Sequence, residues 1–282
     1  MRLPRTAGRL AVSIFVVALL TWLLTAPPAG AGNFDDAQPF AAPTAPARSP
    51  LVHGVGAGHV VLALGDSVPS GYNCDCNPFP QTYGSMLSQQ TGTHVVVDNR
   101  AVGGLDTSGL LAQLRTPDFQ NAVRRSDVIL VEIGANDFGD HHDDVVNGRC
   151  ETGNSDCVSD ELASLRSNLD EVIGQIKALR QGQPTTVLTS GYWNVFQDGD
   201  VARNAVGESG LQASLDLTRR ANAVISSVSD QDGVRYVDLY APFEESGRNV
   251  TSLMADDGDH PNAAGHQLIA HTLLDAGLPR VS

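Results

Sequence analysis

Four short polar segments hold the side chains that could do chemistry in this 282-residue chain. Ser67 lies in GDSVPSGYN (residues 65–73), directly after the apolar run HVVLALG. A serine in that place can cap a helix, shape a turn or act as a nucleophile. The segment is not the G-x-S-x-G elbow, because Pro69 stands where the second glycine belongs. It also lacks the Lys-Ser/Thr pair of a phosphate-binding loop. A serine nucleophile needs a base, a group that orients the base, and donors for the oxyanion. ADDGDHPNAAGH (residues 255–266) offers the first two. His260 precedes a Pro-led helix and so sits on a loop edge, and Asp257, three residues earlier, can be presented by the same tight loop. Gly103 and Gly104 of NRAVGGLDT can turn a backbone N–H toward such a site, and Asn136 of GAND offers a side-chain amide.

The elements that must position these residues are legible as alternating patterns. Strands are expected at residues 60–65, 94–99, 127–134, 185–193 and 234–240. The run at 127–134 is nearly all apolar, which marks a central strand. Helical spacing is found at 81–92, 108–114, 119–125, 159–182, 211–229 and 262–277. The clearest is 159–182, with a Ser cap and acids in its first turn. Strand–helix alternation argues for a parallel sheet with helices on both faces. Ligands then sit beyond the carboxyl ends of the strands. The first three chemical segments each follow a predicted strand, and the last follows the segment after Asp238.

GDSV, NRAVGGLDT, GAND and DGDH, in this order from Gly65 to His260, resemble the four blocks of the SGNH hydrolases, also called the GDSL esterase/lipase family. The resemblance implies a three-layer α/β/α sandwich around a five-stranded parallel sheet, flavodoxin-like in type. It implies that Ser67 is the nucleophile, His260 the general base and then acid, and Asp257 the group that orients it. Some members use a backbone carbonyl in place of the aspartate. The implied oxyanion donors are the Ser67 N–H, the Gly104 N–H and the Asn136 amide; Gly103 is an alternative to Gly104, whose place in the N-x-A-x-x-G register favours it. The first block reads GDSV and not GDSL, which changes an apolar neighbour and leaves the chemistry alone. The implied activity is hydrolysis of O-acyl esters through an acyl-enzyme, with no metal and no cofactor. Short-chain or carbohydrate esters are favoured over long-chain lipids, because no long apolar insertion reads as a lid.

The rest of the chain bounds the setting. Arg2, Arg5 and Arg9, the apolar run Leu10–Leu24 and the Ala29-Gly30-Ala31 pattern read as a signal peptide over residues 1–31, with an uncleaved anchor as the rival. Residues 32–58, rich in Ala and Pro, read as a disordered linker, and 59–282 as the hydrolase domain. The expected location is extracellular, without a stable membrane span once the signal is removed, and a monomer is expected. The net charge is −14, and loss of the three signal arginines makes it more negative, which disfavours nucleic acid as a partner. Cys74, Cys76, Cys150 and Cys157 fit an oxidising compartment and allow three pairings. Trp193 and Tyr72 are candidate substrate contacts, with wall packing the alternative for Trp193. DHHDD (residues 140–144) has metal-binding composition but reads better as a solvated loop. A lipase or phospholipase, a metal-dependent phosphoesterase and a non-catalytic binding domain are the competing functions; GAND lacks the histidine that a phosphoesterase G-N-H-D segment would carry.

Overall fold

Residues 58–152 and 155–277 are described in the computed structural model. The expected signal peptide and nearly all of the expected linker lie outside the described residues. Strand β1 (His59–Gly65) leads into a one-turn helix α1 (Ser67–Ser70), then α2 (Phe79–Thr91), β2 (Val95–Asn99), α3 (Thr107–Leu114), α4 (Pro117–Arg125) and β3 (Val128–Glu132). A 3-10 stretch (Ala135–His141) continues into α5 (His142–Val146) and a two-residue hairpin, β4 (Glu151–Thr152) with β5 (Ser155–Asp156). Helix α6 (Ser159–Arg180), β6 (Thr186–Ser190), α7 (Gly199–Asp232), β7 (Arg235–Val237) and α8 (Ala263–Asp275) complete the order.

Five strands form one sheet in the order β2-β1-β3-β6-β7, and every pairing in it is parallel. Parallel neighbours need crossovers, and the helices supply them on both faces. Helix α2 packs against α8, whereas α6 packs against α3, α4 and α7. The parallel sheet with helices on both faces expected from the strand–helix alternation is observed, and so is the three-layer α/β/α architecture that the resemblance implies. The core runs through the sheet, where β1 and β3 bury Val61–Leu64 and Val128–Val131. Chain direction across the sheet reverses between β1 and β3: β2 lies outside β1, and all later strands lie beyond β3. Sheets of this kind hold ligands beyond the carboxyl ends of the strands at such a reversal, here β1 and β3.

Several boundaries differ from the sequence reading for physical reasons. The helix expected at 211–229 is the second part of the longer α7, which is interrupted at Gly207 in a non-helical conformation. The DHHDD segment is helical rather than a plain loop, and its following Val145 and Val146 are buried. The last strand stops at Val237, because the Asp238 carboxylate accepts the N–H groups of Tyr240 and Ala241 and turns the chain. The cysteines pair locally, Cys74 with Cys76 and Cys150 with Cys157. Among the described residues no helix is long and apolar enough to cross a membrane.

Candidate active site

Ser67 is the first residue of α1 and is half-buried between buried neighbours, Asp66 and Val68. Asp66 caps this short helix by accepting the Val68 N–H at 3.0 Å. The first N–H groups of a helix have no intrahelical acceptor, so the Ser67 N–H points outward from the turn. Behind it the structure is rigid. Gly65 pairs with Glu132 across β1 and β3, and the Asp66 N–H bonds the Glu132 carbonyl at 3.2 Å. Tyr192 donates its hydroxyl to the second Asp66 oxygen. Burial pushes the Asp66 carboxyl up to about 6, against the opposing pull of the Tyr192 bond. Glu132, fully buried beneath, is also pushed well above the carboxylate range by burial; Ser190 Oγ donates to its Oε2 at 3.1 Å.

The second and third segments close around this turn. Asn99 donates from Nδ2 to the Pro69 carbonyl at 2.7 Å and accepts the Ala101 N–H on Oδ1, so the end of β2 braces α1. The Val102 N–H bonds the Gly65 carbonyl at 2.9 Å. A β-carbon built on Gly103 would lie 3.9 Å from Ser67 Cβ, so this turn passes directly beside the serine. Gly104 has φ +77°, a left-handed conformation that side chains resist, and it is exposed. Asn136, also exposed, donates one amide N–H to the Leu105 carbonyl at 2.9 Å. Its neighbour Asp137 accepts the Thr107 N–H at 3.0 Å and the Thr107 hydroxyl. The two loops are thereby tied to each other.

The last segment meets the first. His260 Nδ1 lies 2.7 Å from Asp257 Oδ2, and the Asp257 Oδ1 accepts the backbone N–H groups of Asp259 and His260 at 3.0 Å each. Burial raises the Asp257 carboxyl, but these donors outweigh it and hold the group at about 2, a carboxylate at any neutral pH. An imidazole whose Nδ1 is engaged by a carboxylate presents Nε2 to its other neighbours. The loop before α7 steadies this arrangement: Gln197 Nε2 donates to the Asp257 carbonyl at 2.9 Å, and the Asp198 N–H to the Gly258 carbonyl at 2.7 Å. Tyr72, five residues after the serine, lies over the His260 ring at a centroid distance of 4.9 Å. Asn73 donates to Asp257 Oδ2 at 2.7 Å. The Ser67 loop and the His260 loop are therefore in direct contact at one edge of the sheet. Among the described residues no hydrogen bond joins Ser67 Oγ to His260; such bonds often tighten only when substrate binds.

Two expectations need restating. Trp193 is fully buried and stacks on Phe243 at 4.5 Å, so it is a core residue here and not a surface that substrate reaches. Tyr72, in contrast, is 60% exposed and stands beside the imidazole. The DHHDD histidines each find one acid, His141 with Glu161 and His142 with Asp143, and gather no third ligand among the described residues. Cys74, Cys76 and His266 do bring ligand atoms within 4.8 Å of one another, but the two sulfurs are joined to each other and offer no thiolate. Asn73, Asn99, Gln197 and Tyr192 escaped the sequence reading as parts of the site. For Asn99 the N-x-A-x-x-G register was a signal; for the others the signal lies in contacts distant along the chain.

The chain is similar to several known proteins. Residues 63–268 match the family model described as the GDSL-like Lipase/Acylhydrolase family. Similar solved structures include a lipase from a goat rumen metagenome, 20% identical, TM-score 0.63, covering 79% of this chain and 100% of that one. Phospholipase A1 from Streptomyces albidoflavus is 22% identical, TM-score 0.58, covering 78% of this chain and 100% of its own. A variant acetyl-xylooligosaccharide esterase from Geobacillus is 18% identical, TM-score 0.56, with 81% and 98% covered. No curated protein matches the chain by sequence.

Proposed function

The chain belongs to the GDSL-like lipase/acylhydrolase family, and from that premise we propose that it is a serine esterase acting outside the cell on short-chain or carbohydrate O-acyl esters. The observation that carries this reading is the contact between the first and last segments. Asp257 binds His260 Nδ1 and Asn73 together, which brings the base and its orienting carboxylate onto the loop that follows Ser67. Ser67 Oγ attacks the ester carbonyl as His260 Nε2 takes its proton. The Ser67 N–H, a backbone N–H of the Gly103–Gly104 turn and the free Asn136 amide proton receive the oxyanion. His260 returns the proton to the leaving alcohol, then activates a water that releases the acid from the acyl-enzyme. Asp257 stays ionised throughout and stabilises the imidazolium. No step calls for a metal.

The preference for small esters is supported by the surface. The exposed large hydrophobics among the described residues are Tyr72, Val96 and Val102, too few for a lipid-docking face. Tyr72 lies beside His260 and is the expected contact for the acyl or alcohol part. Export is supported by the two disulfides.

The test uses p-nitrophenyl acetate, a longer-chain series and acetylated xylan. Wild type is expected to show a burst, to resist chelators and to be inactivated by an organophosphorus reagent. Ser67→Ala and His260→Ala should each lose at least ~10³-fold in kcat with circular dichroism unchanged. Full turnover in either variant, or loss of wild-type activity on chelation, would overturn the proposal.

A further inference from the structure

Resting on the triad reading above, we propose that Asn73 is a positioning residue for the Asp257 carboxylate, and that the Cys74–Cys76 ring holds it in reach. Asp257 Oδ2 receives two side chains at the same distance, His260 Nδ1 and Asn73 Nδ2, each at 2.7 Å. Its Oδ1 is occupied by two backbone N–H groups of its own loop. Among the described residues Asn73 is thus the one side-chain donor to the carboxylate from another part of the chain, 184 residues away. The choice of a neutral donor has a chemical reason. An amide fixes the carboxylate's orientation without cancelling the charge that stabilises the imidazolium, whereas an arginine or lysine would compete with it.

The backbone explains how an exposed loop keeps this aim. Asn73 and Asp75 have φ of 56° and 47°, left-handed values that asparagine and aspartate tolerate best among side-chain-bearing residues. Cys74 stands between them and is bonded to Cys76, with Cα atoms 5.0 Å apart. The crosslink confines a run of residues that are otherwise exposed at positions 73, 75 and 77. Tyr72, at the start of the same run, lies over the imidazole.

Other charged groups also face His260. The Asp259 carboxylate is 3.8 Å from Nδ1, and Asp66 and His266 act on it through space, with His142 acting on Asp259. Substitutions at Asn73 leave all of these in place.

Asn73→Gly keeps the left-handed conformation and removes the amide. Asn73→Asp keeps the shape and replaces the donor with a second carboxylate. Both are expected to lower kcat by about 3–10-fold at unchanged KM. Both should move the acid limb of kcat/KM to higher pH, Asn73→Asp further, since a less compensated carboxylate favours the imidazolium. In an Asp257→Ala background Asn73→Gly should cost nothing more. Cys74→Ser/Cys76→Ser should reproduce the Asn73→Gly loss. An unmoved acid limb with wild-type kcat in Asn73→Gly, or the same loss with and without Asp257, overturns the inference. Full activity in the double cysteine variant overturns the part assigned to the ring. The two readings fail separately: an active Ser67→Ala ends the esterase assignment, whereas an inactive Ser67→Ala beside a silent Asn73→Gly ends only the role of Asn73.

Discussion

Asn136 shows how one side chain can be aimed without being buried. One amide proton is spent on the Leu105 carbonyl at 2.9 Å, which fixes the plane of the group and leaves the other proton directed by it. Leu105 follows Gly104, so the same bond sets the relative position of two proposed oxyanion donors. The adjoining Asp137 repeats the tie through Thr107, whose hydroxyl in turn accepts from Asn168 at 2.9 Å. Donors held in place before the reaction stabilise developing charge without reorganising. Asn136→Ala and Asn136→Asp are therefore both expected to lower kcat by about 10²–10³-fold with little change in KM. Steady-state kinetics on p-nitrophenyl acetate checks this, and a kcat within threefold of wild type would remove Asn136 from the oxyanion hole. The aspartate variant is informative because it keeps the size and loses the donor.

At the scale of elements, the turn that carries Ser67 depends on how closely β1 and β3 end together. Gly65 has φ +146°, and a β-carbon there would lie 1.9 Å from the Glu132 carbonyl oxygen. Both partners at that point are backbone, so neither can move aside. Gly65→Ala is expected to destabilise the protein by at least ~3 kcal/mol, read as a fall in the urea midpoint at unchanged slope. A midpoint equal to wild type would mean that the strand ends can separate, and the turn would then not be rigidly mounted. The five strands were readable from sequence because each is an apolar run bounded by polar or glycine-rich turns. Their order was not, since the placement of β2 outside β1 depends on the direction of a crossover and on no local pattern. Strand ends were overestimated where apolar residues continue past the last ladder bond: Ile133 is buried just beyond β3. Helix α5 was missed because His and Asp have weak helical preference, and its form rests on the buried Val145 and Val146. Of the site, Ser67, Asn136, Asp257 and His260 were legible as residue types at strand ends or on one short loop. Asn73 was not, since its meaning lies in a partner near the other end of the chain. Trp193 was misread as a candidate contact because a residue after a strand end can turn inward as readily as outward, and here it meets Phe243.

For the molecule as a whole, buried titratable groups set opposing demands on pH. His266 is buried in α8 with Nδ1 accepting the Phe79 N–H at 3.2 Å, and burial lowers its titration to about 4. Between about pH 6.5 and that value the unfolded chain binds a proton that the folded chain refuses, so stability falls as pH drops, by up to ~3 kcal/mol. Asp66 acts in the other direction. Its folded value of about 6 lies above the unfolded one, so the folded chain holds a proton that the unfolded chain has lost, and stability rises as pH drops from about 6 toward 4. Glu132, raised by burial, shares that sign. Asp257, held at about 2, contributes stability above the ordinary carboxylate range that disappears only below it. Asp66 and Glu132 together outweigh His266, so wild-type stability is expected to rise on acidification from pH 6.5 to 4. Asp66→Asn is expected to flatten this rise, because Glu132 then faces His266 alone, and His266→Gln to steepen it over the same interval. Urea midpoints measured at half-unit steps decide it: parallel profiles for wild type and both variants would show that neither group changes its protonation on folding, and that the carboxyl beneath Ser67 is solvated in a way its burial forbids.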